Sequence, residues 1–254
     1  MKNRILLLSV IFLSIYSILY GLTADEKEAI NFFKDKLKGG VYHIEDYEKE
    51  KGLSISNESI IKDDDLIYLN KLKELDVLII YNKSITDSGI QYIKNLKKLT
   101  ILTINEAQLT DRGMEYIGQL ENLEELNISD TQVTDEGLKH LRNLKKLEEL
   151  VLDNTNITGE GFQYINELPN LRVLVVSPKL KGENLRYLGK MKLELLNIAE
   201  NAIDDRAIPY LTKLKTLERL IIFDTKISKE GVKQLEKALP QCMVYDERGG
   251  GEDG

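Results

Sequence analysis

The chain has 254 residues, 42% of them hydrophobic and 30% charged, with 35 Lys and Arg against 42 Asp and Glu and a formal charge of −7. That composition is ordinary for a chain that folds in water, and its acidity disfavours nucleic-acid phosphates as a partner. A single Cys excludes an intrachain disulfide, so packing alone must hold the fold.

In chain order, Lys2 and Arg4 precede an uncharged apolar run from Ile5 to Leu22, and Asp25, Glu26, Lys27 and Glu28 then open a polar chain. This is the order of a secretory signal peptide, assigned to residues 1–24 with a cut after Thr23 or Ala24. The 18 apolar residues also reach the lower limit for crossing a bilayer, so an uncleaved N-terminal anchor is the alternative. Either reading puts the body outside the cytoplasm, whether secreted, periplasmic or on the cell surface. Membrane contact is expected only through that segment. No Cys lies near the boundary to carry a lipoprotein anchor, and removing residues 1–24 leaves 33 basic against 42 acidic side chains, or −9.

Residues 25–71 read as an N-terminal cap. Ala29, Ile30, Phe33 and Leu37 have helical spacing, and Leu53, Ile55 and Ile60, followed by Leu66 and Leu69, resemble a degenerate first repeat. Asp63, Asp64 and Asp65 read as a solvated helix start, because the 12-residue calcium loop with its central Gly and terminal Glu is missing.

From Leu72 the chain repeats itself. Segments beginning Leu72, Leu96, Leu120, Leu144, Leu168, Met191 and Leu214 superimpose at 24 residues or close to it, seven copies over 72–239. Within a copy the spacing L-x-x-L-x-L-x-x-T-x-I contains an alternating pair, such as Leu126 and Ile128, which predicts a short strand. The later T-D-x-G-L-x-x-L changes to helical spacing, as at Leu138 and Leu141 or Phe162 and Ile165, which predicts a short returning helix. Thr86, Thr110, Thr134, Thr158, Asp204 and Ser228 stand where those helices begin and are expected to cap them. Gly89, Gly113, Gly137, Gly161 and Gly231, with Asn184 and Ala207 as substitutes, fall where neighbouring turns must approach closely.

The fifth copy is one residue short after Val176, with Pro178 in the turn, and the sixth is one short near Met191. This predicts a local irregularity in the stack, with a binding loop as the lesser alternative. Leu239, Cys242 and Val244 repeat the strand spacing once more, so 240–246 is expected to be a capping strand with Cys242 a core thiol. The Gly-rich, charged residues 247–254 are expected to be disordered.

These tandem motifs resemble the leucine-rich repeat family, and the Thr with T-D-x-G-L looks like the ribonuclease-inhibitor-like and cysteine-containing-like subclass seen in many bacterial exported proteins. The resemblance covers about two-thirds of the chain. It implies an α/β leucine-rich repeat solenoid, a right-handed β–α superhelix with a concave parallel sheet and short helices on the convex side. It also implies protein ligands bound on the concave sheet.

The residues offer little for catalysis. His43 and His140 lie far apart without metal-ligand spacing, and the paired Glu124 with Glu125 and Glu148 with Glu149 recur at equivalent, solvated places. No catalytic residue, metal or cofactor is therefore expected, and an enzyme or an intracellular adaptor would need a further domain. The candidate partner-binding residues are those pointing away from the core on the strands: Val77, Ile79, Tyr81, Ile101, Val151, Val173, Val175, Leu195, Ile221 and Phe223. Their competing explanation is that β-branched side chains simply suit strands. The expected function is an exported, non-enzymatic module that recognises a protein partner. The alternative is a structural or self-associating cell-envelope component.

Overall fold

Each strand is only three to five residues long because one repeat supplies a single alternating apolar pair before its turn. The computed structural model describes residues 22–37, 51–57, 59–176 and 178–246, which form helix α1, Ala24–Lys36, and a nine-stranded sheet. The strands are β1 Gly52–Ile55, β2 Val77–Tyr81, β3 Ile101–Asn105, β4 Glu125–Asn127, β5 Glu149–Val151, β6 Val173–Val175, β7 Leu195–Asn197, β8 Arg219–Ile221 and β9 Met243–Tyr245. They lie in sequence order and every pairing is parallel, as a chain of β-to-helix crossovers requires. Residues 1–21 of the signal segment, His43 and the C-terminal tail fall outside the described residues.

The core runs the length of the stack between sheet and helices. In one regular repeat Leu144, Leu147, Leu150, Leu152, Ile157, Phe162 and Ile165 are all buried. Burial of each such side chain contributes about 1.5–3 kcal/mol. The returning segments are short: α2 Asp87–Ile90, α3 Asp111–Ile117, α4 Phe162–Ile165, α5 Ile208–Leu211 and α6 Lys229–Ala238 are α-helical. Asp63–Lys71, Asp135–Asn143 and Gly182–Lys190 are 3-10 turns instead. The tighter winding fits the few residues available between cap and next strand.

The caps hold more than their own helices. Thr86, Thr110, Thr134 and Asp204 accept from the backbone N–H two residues on, and Ser228 from Gly231. In addition, in five places the Asp that opens one returning segment accepts from the Thr or Ser at the equivalent cap position of the next repeat. Thr110 donates its N–H (2.9 Å) and hydroxyl (2.5 Å) to the two oxygens of Asp87, and Thr134 donates likewise to Asp111 at 2.8 and 2.7 Å. Asp63 with Thr86, Asp135 with Thr158, and Asp205 with Ser228 complete five rungs. The stacked glycines make room for this: a Cβ on Gly113 would lie 2.5 Å from Asp87 Oδ1 and one on Gly137 2.6 Å from Asp111 Oδ1.

Four sequence expectations need correction. Thr158 does not cap: α4 starts later, at Phe162, because Gly159 takes a left-handed φ of +94° and the Asp135 carboxylate collects the N–H groups of Gly159 and Gly161. Ile60 is exposed and Ile61 is the buried residue, since the first repeat has one extra residue in its turn. Asp63 is bonded to Thr86 rather than merely solvated, and Asp65 accepts from Lys62 N–H and pairs with Lys36 at 3.4 Å. Cys242 is half-buried, not a core thiol, because it precedes the strand and Val244 takes the interior position opposite Leu220. Burial raises its thiol pKa above the usual value.

At the N-terminus, Thr23 Oγ1 accepts from Glu26 N–H while Glu26 accepts from Thr23 N–H, a reciprocal capping box. Leu22 packs on the core beside it. A cut after Thr23 or Ala24 would remove Thr23 and with it this cap.

Candidate functional site

The strand residues that turn away from the core form rows across the concave face, since equivalent positions are direct neighbours about 4.8 Å apart. One row runs Val77, Ile101, Glu125, Glu149, Val173, Leu195, Arg219 and Met243. The next runs Ile79, Thr103, Asn127, Val151, Val175, Asn197, Ile221 and Tyr245. All ten candidate residues named from sequence lie on this face or at its edge. Val77, Ile79 and Ile101 meet across β2 and β3, and Val151, Val173, Val175 and Leu195 meet across β5 to β7. Ile221 is separated from Val175 by Asn197.

Eight of the ten are half-buried, shielded by the neighbouring side chains of their rows, whereas Tyr81 is 41% and Phe223 37% exposed. Met243 and Tyr245, not singled out from sequence, extend the same two rows and are exposed. They lie beyond the seven regular copies, although the alternation of Cys242 and Val244 already turned Met243 and Tyr245 away from the core. Asn105, opposite Tyr81, carries a buried Oδ1 without a donor among the described residues.

Polar groups cluster at one border of this face. Glu125 and Glu149 are directly opposed on β4 and β5. Glu124, Glu148 and Glu194 join them around a shallow pocket of about 260 Å³ that also touches Arg172 and Val173. Burial raises the Glu149 carboxyl above the usual glutamate value, and the charge of Glu125 adds to the rise. Arg172 is paired with Glu194 at 3.2 Å.

The convex side offers a contrast that sequence reading overlooked. Tyr68, Tyr92, Tyr116, Tyr164, Tyr187 and Tyr210 occupy one helical position in successive repeats, with His140 taking the position between Tyr116 and Tyr164. Each Tyr is partly buried on the core, and cations stand over several rings: Lys71 over Tyr68, Lys94 over Tyr116, Arg186 over Tyr187 and Lys213 over Tyr210, at 4.4–5.9 Å. These rings seal the core, and four of the six are themselves covered. Among the described residues no cation or second ring lies over Tyr81 or Phe223.

The described residues hold no group of three or more His, Cys, Asp and Glu side chains arranged for a metal, and no helix long and apolar enough to cross a membrane. The turn at the shortened repeat encloses a pocket of about 460 Å³ beside Lys179, Lys181 and Arg206. There Arg206 is engaged by Asp204 at 2.8 Å, which holds that carboxyl below the usual aspartate value, and Lys179 bonds Asn156.

This geometry recurs in known proteins. Residues 119–141, about one repeat, match the family model described as Leucine Rich repeat. Internalin C2 from Listeria monocytogenes superposes with a TM-score of 0.60 at 24% identity, covering 91% of this chain and 95% of that one. A leucine-rich repeat protein of Leptospira interrogans gives a TM-score of 0.47 at 22% identity, over 70% of this chain and 50% of the other. No curated protein sequence matches the chain significantly. The fold is thus the leucine-rich repeat solenoid, an α/β stack with one continuous parallel sheet.

Proposed function

We propose that this chain is an exported, non-enzymatic binding module that receives a protein partner on its concave sheet. The observation that carries the reading is the difference between the two faces. Four of the six convex tyrosines have a cation of the protein's own over the ring, whereas on the concave sheet Val151, Val173, Val175 and Leu195 stand in contiguous register with no covering element among the described residues. Contiguous apolar surface of this kind marks an interface, and aromatic residues at its border, here Tyr81 and Phe223, are the usual anchors. The N-terminal apolar run supports export, and the likeness in fold to internalin C2 is consistent with a binding scaffold.

The test is affinity capture from envelope and extracellular fractions with the full-length chain as bait, beside a Val175→Asp, Phe223→Asp variant checked for folding by circular dichroism. The variant is expected to fold and to lose the specifically captured protein. A folded variant that retains every captured protein overturns the concave assignment. A second reading, self-association within the envelope, draws on the exposed Met243 and Tyr245 of the terminal strand β9. Sedimentation of the full-length chain would show concentration-dependent dimers if that reading holds.

A further inference from the structure

Resting on the concave-face reading, we infer that the partner is a polypeptide segment whose apolar side chains cover Val173 and Val175 while its Lys or Arg side chains reach Glu125 and Glu149. The basis is the arrangement of the first concave row. Ile101, Glu125, Glu149, Val173 and Leu195 are consecutive neighbours across five strands, so two carboxylates are set between apolar side chains on one surface.

Like charges directly opposed on adjacent strands destabilise a sheet. This pair gains no relief from its own chain: the nearby Arg172 is committed to Glu194, and no cation pairs with Glu125 or Glu149 among the described residues. Burial and mutual repulsion already hinder ionisation of Glu149. An incoming ammonium or guanidinium group would relieve the repulsion and offset the desolvation as the apolar neighbours are covered, so complementarity of charge and of apolar area selects the same kind of occupant. An acidic segment would be repelled at the same place, and a purely polar cation would leave Val173 and Leu195 exposed to water.

The experiment is calorimetric titration of the full-length chain with three synthetic 12-residue peptides, alternating Leu and Lys, alternating Leu and Glu, and alternating Ser and Lys. The Leu/Lys peptide is expected to bind most tightly, with at least a tenfold loss in Glu125→Gln, Glu149→Gln. No change is expected in Glu160→Gln, Glu183→Gln, which removes the same charge from exposed convex positions. Equal binding of the Leu/Glu peptide, or an equal loss in the two glutamine variants, would overturn the inference. A Val173→Ser, Val175→Ser variant separates the two claims. If it binds the Leu/Lys peptide normally while the Glu125, Glu149 variant does not, the apolar-face reading fails and the carboxylate claim stands. Loss only in the valine variant overturns the carboxylate claim and leaves the apolar-face reading standing.

Discussion

The repeats up to Thr158 and the stretch from Gly159 to Asp204 are built on the same plan but hold their neighbours by different means. In the first region an Asp carboxylate of one repeat takes both the N–H and the hydroxyl of the Thr 23 residues on, rung after rung from Asp63 to Thr158. In the second, Gly159 and Gly182 replace the Asp and Lys181 replaces the Thr, so no such rung forms. Backbone and amide contacts take over: Lys181 N–H and Asn184 Nδ2 donate to the Thr158 carbonyl. From the turn after β7, buried Asn201 reaches the shortened turn: it accepts from Leu180 N–H and donates to the carbonyls of Val176, Ile198 and Ala199. The missing residue is thus compensated by one side chain with two N–H donors and an acceptor, where a Thr hydroxyl has a single donor.

The contrast between the two regions breaks most severely at Asn201. Asn201→Leu leaves one buried N–H and several carbonyls without partners and is expected to cost about 4 kcal/mol. Chemical denaturation would register it, and a loss under about 1 kcal/mol would mean the short turn supports itself. Asp111→Ala removes one rung of the regular region and should cost about 2 kcal/mol by the same assay.

The difference can also be reduced. A Cβ on Gly182 would meet only ordinary contacts, 3.6 Å to Ala207 and Ile203, so Gly182→Asp together with Asp204→Thr should build the absent rung. A gain of about 1 kcal/mol in denaturation is expected, while Gly182→Asp alone should destabilise by setting two carboxylates against each other.

The smallest effect concerns the concave pair. Because the folded-state pKa of Glu149 lies above its usual value, folding opposes its ionisation. The resulting penalty is absent below the ordinary glutamate pKa and complete once pH exceeds the raised one. Glu149→Gln should therefore stabilise the protein by about 0.5 kcal/mol at about pH 7. That advantage should vanish near about pH 3 in parallel melting curves.

The repeat period, the strand and helix in each copy and the candidate concave residues were legible in the sequence. They depend on local spacing: alternation exposes every second side chain of a strand whatever the neighbours do. Ile60 and Ile61 show where that reading ended, since two adjacent apolar residues are equivalent until an extra turn residue decides which one enters the core. Cys242 and Val244 repeat the point at the other end, where only pairing with β8 set the interior position.

The signal that lay in the sequence unread was the Tyr spacing from Tyr68 to Tyr210. It has the same period as the Leu framework and differs from it in being only partly buried, with cations over four of its rings. What sequence alone determined is the periodic framework, because close packing of identical apolar positions leaves one way to stack them. The Asp-to-cap rungs, the rescue by Asn201 and the opposition of Glu125 with Glu149 were decided by tertiary structure. Each joins residues 21–25 positions apart, and only the register between strands brings such partners within bonding distance.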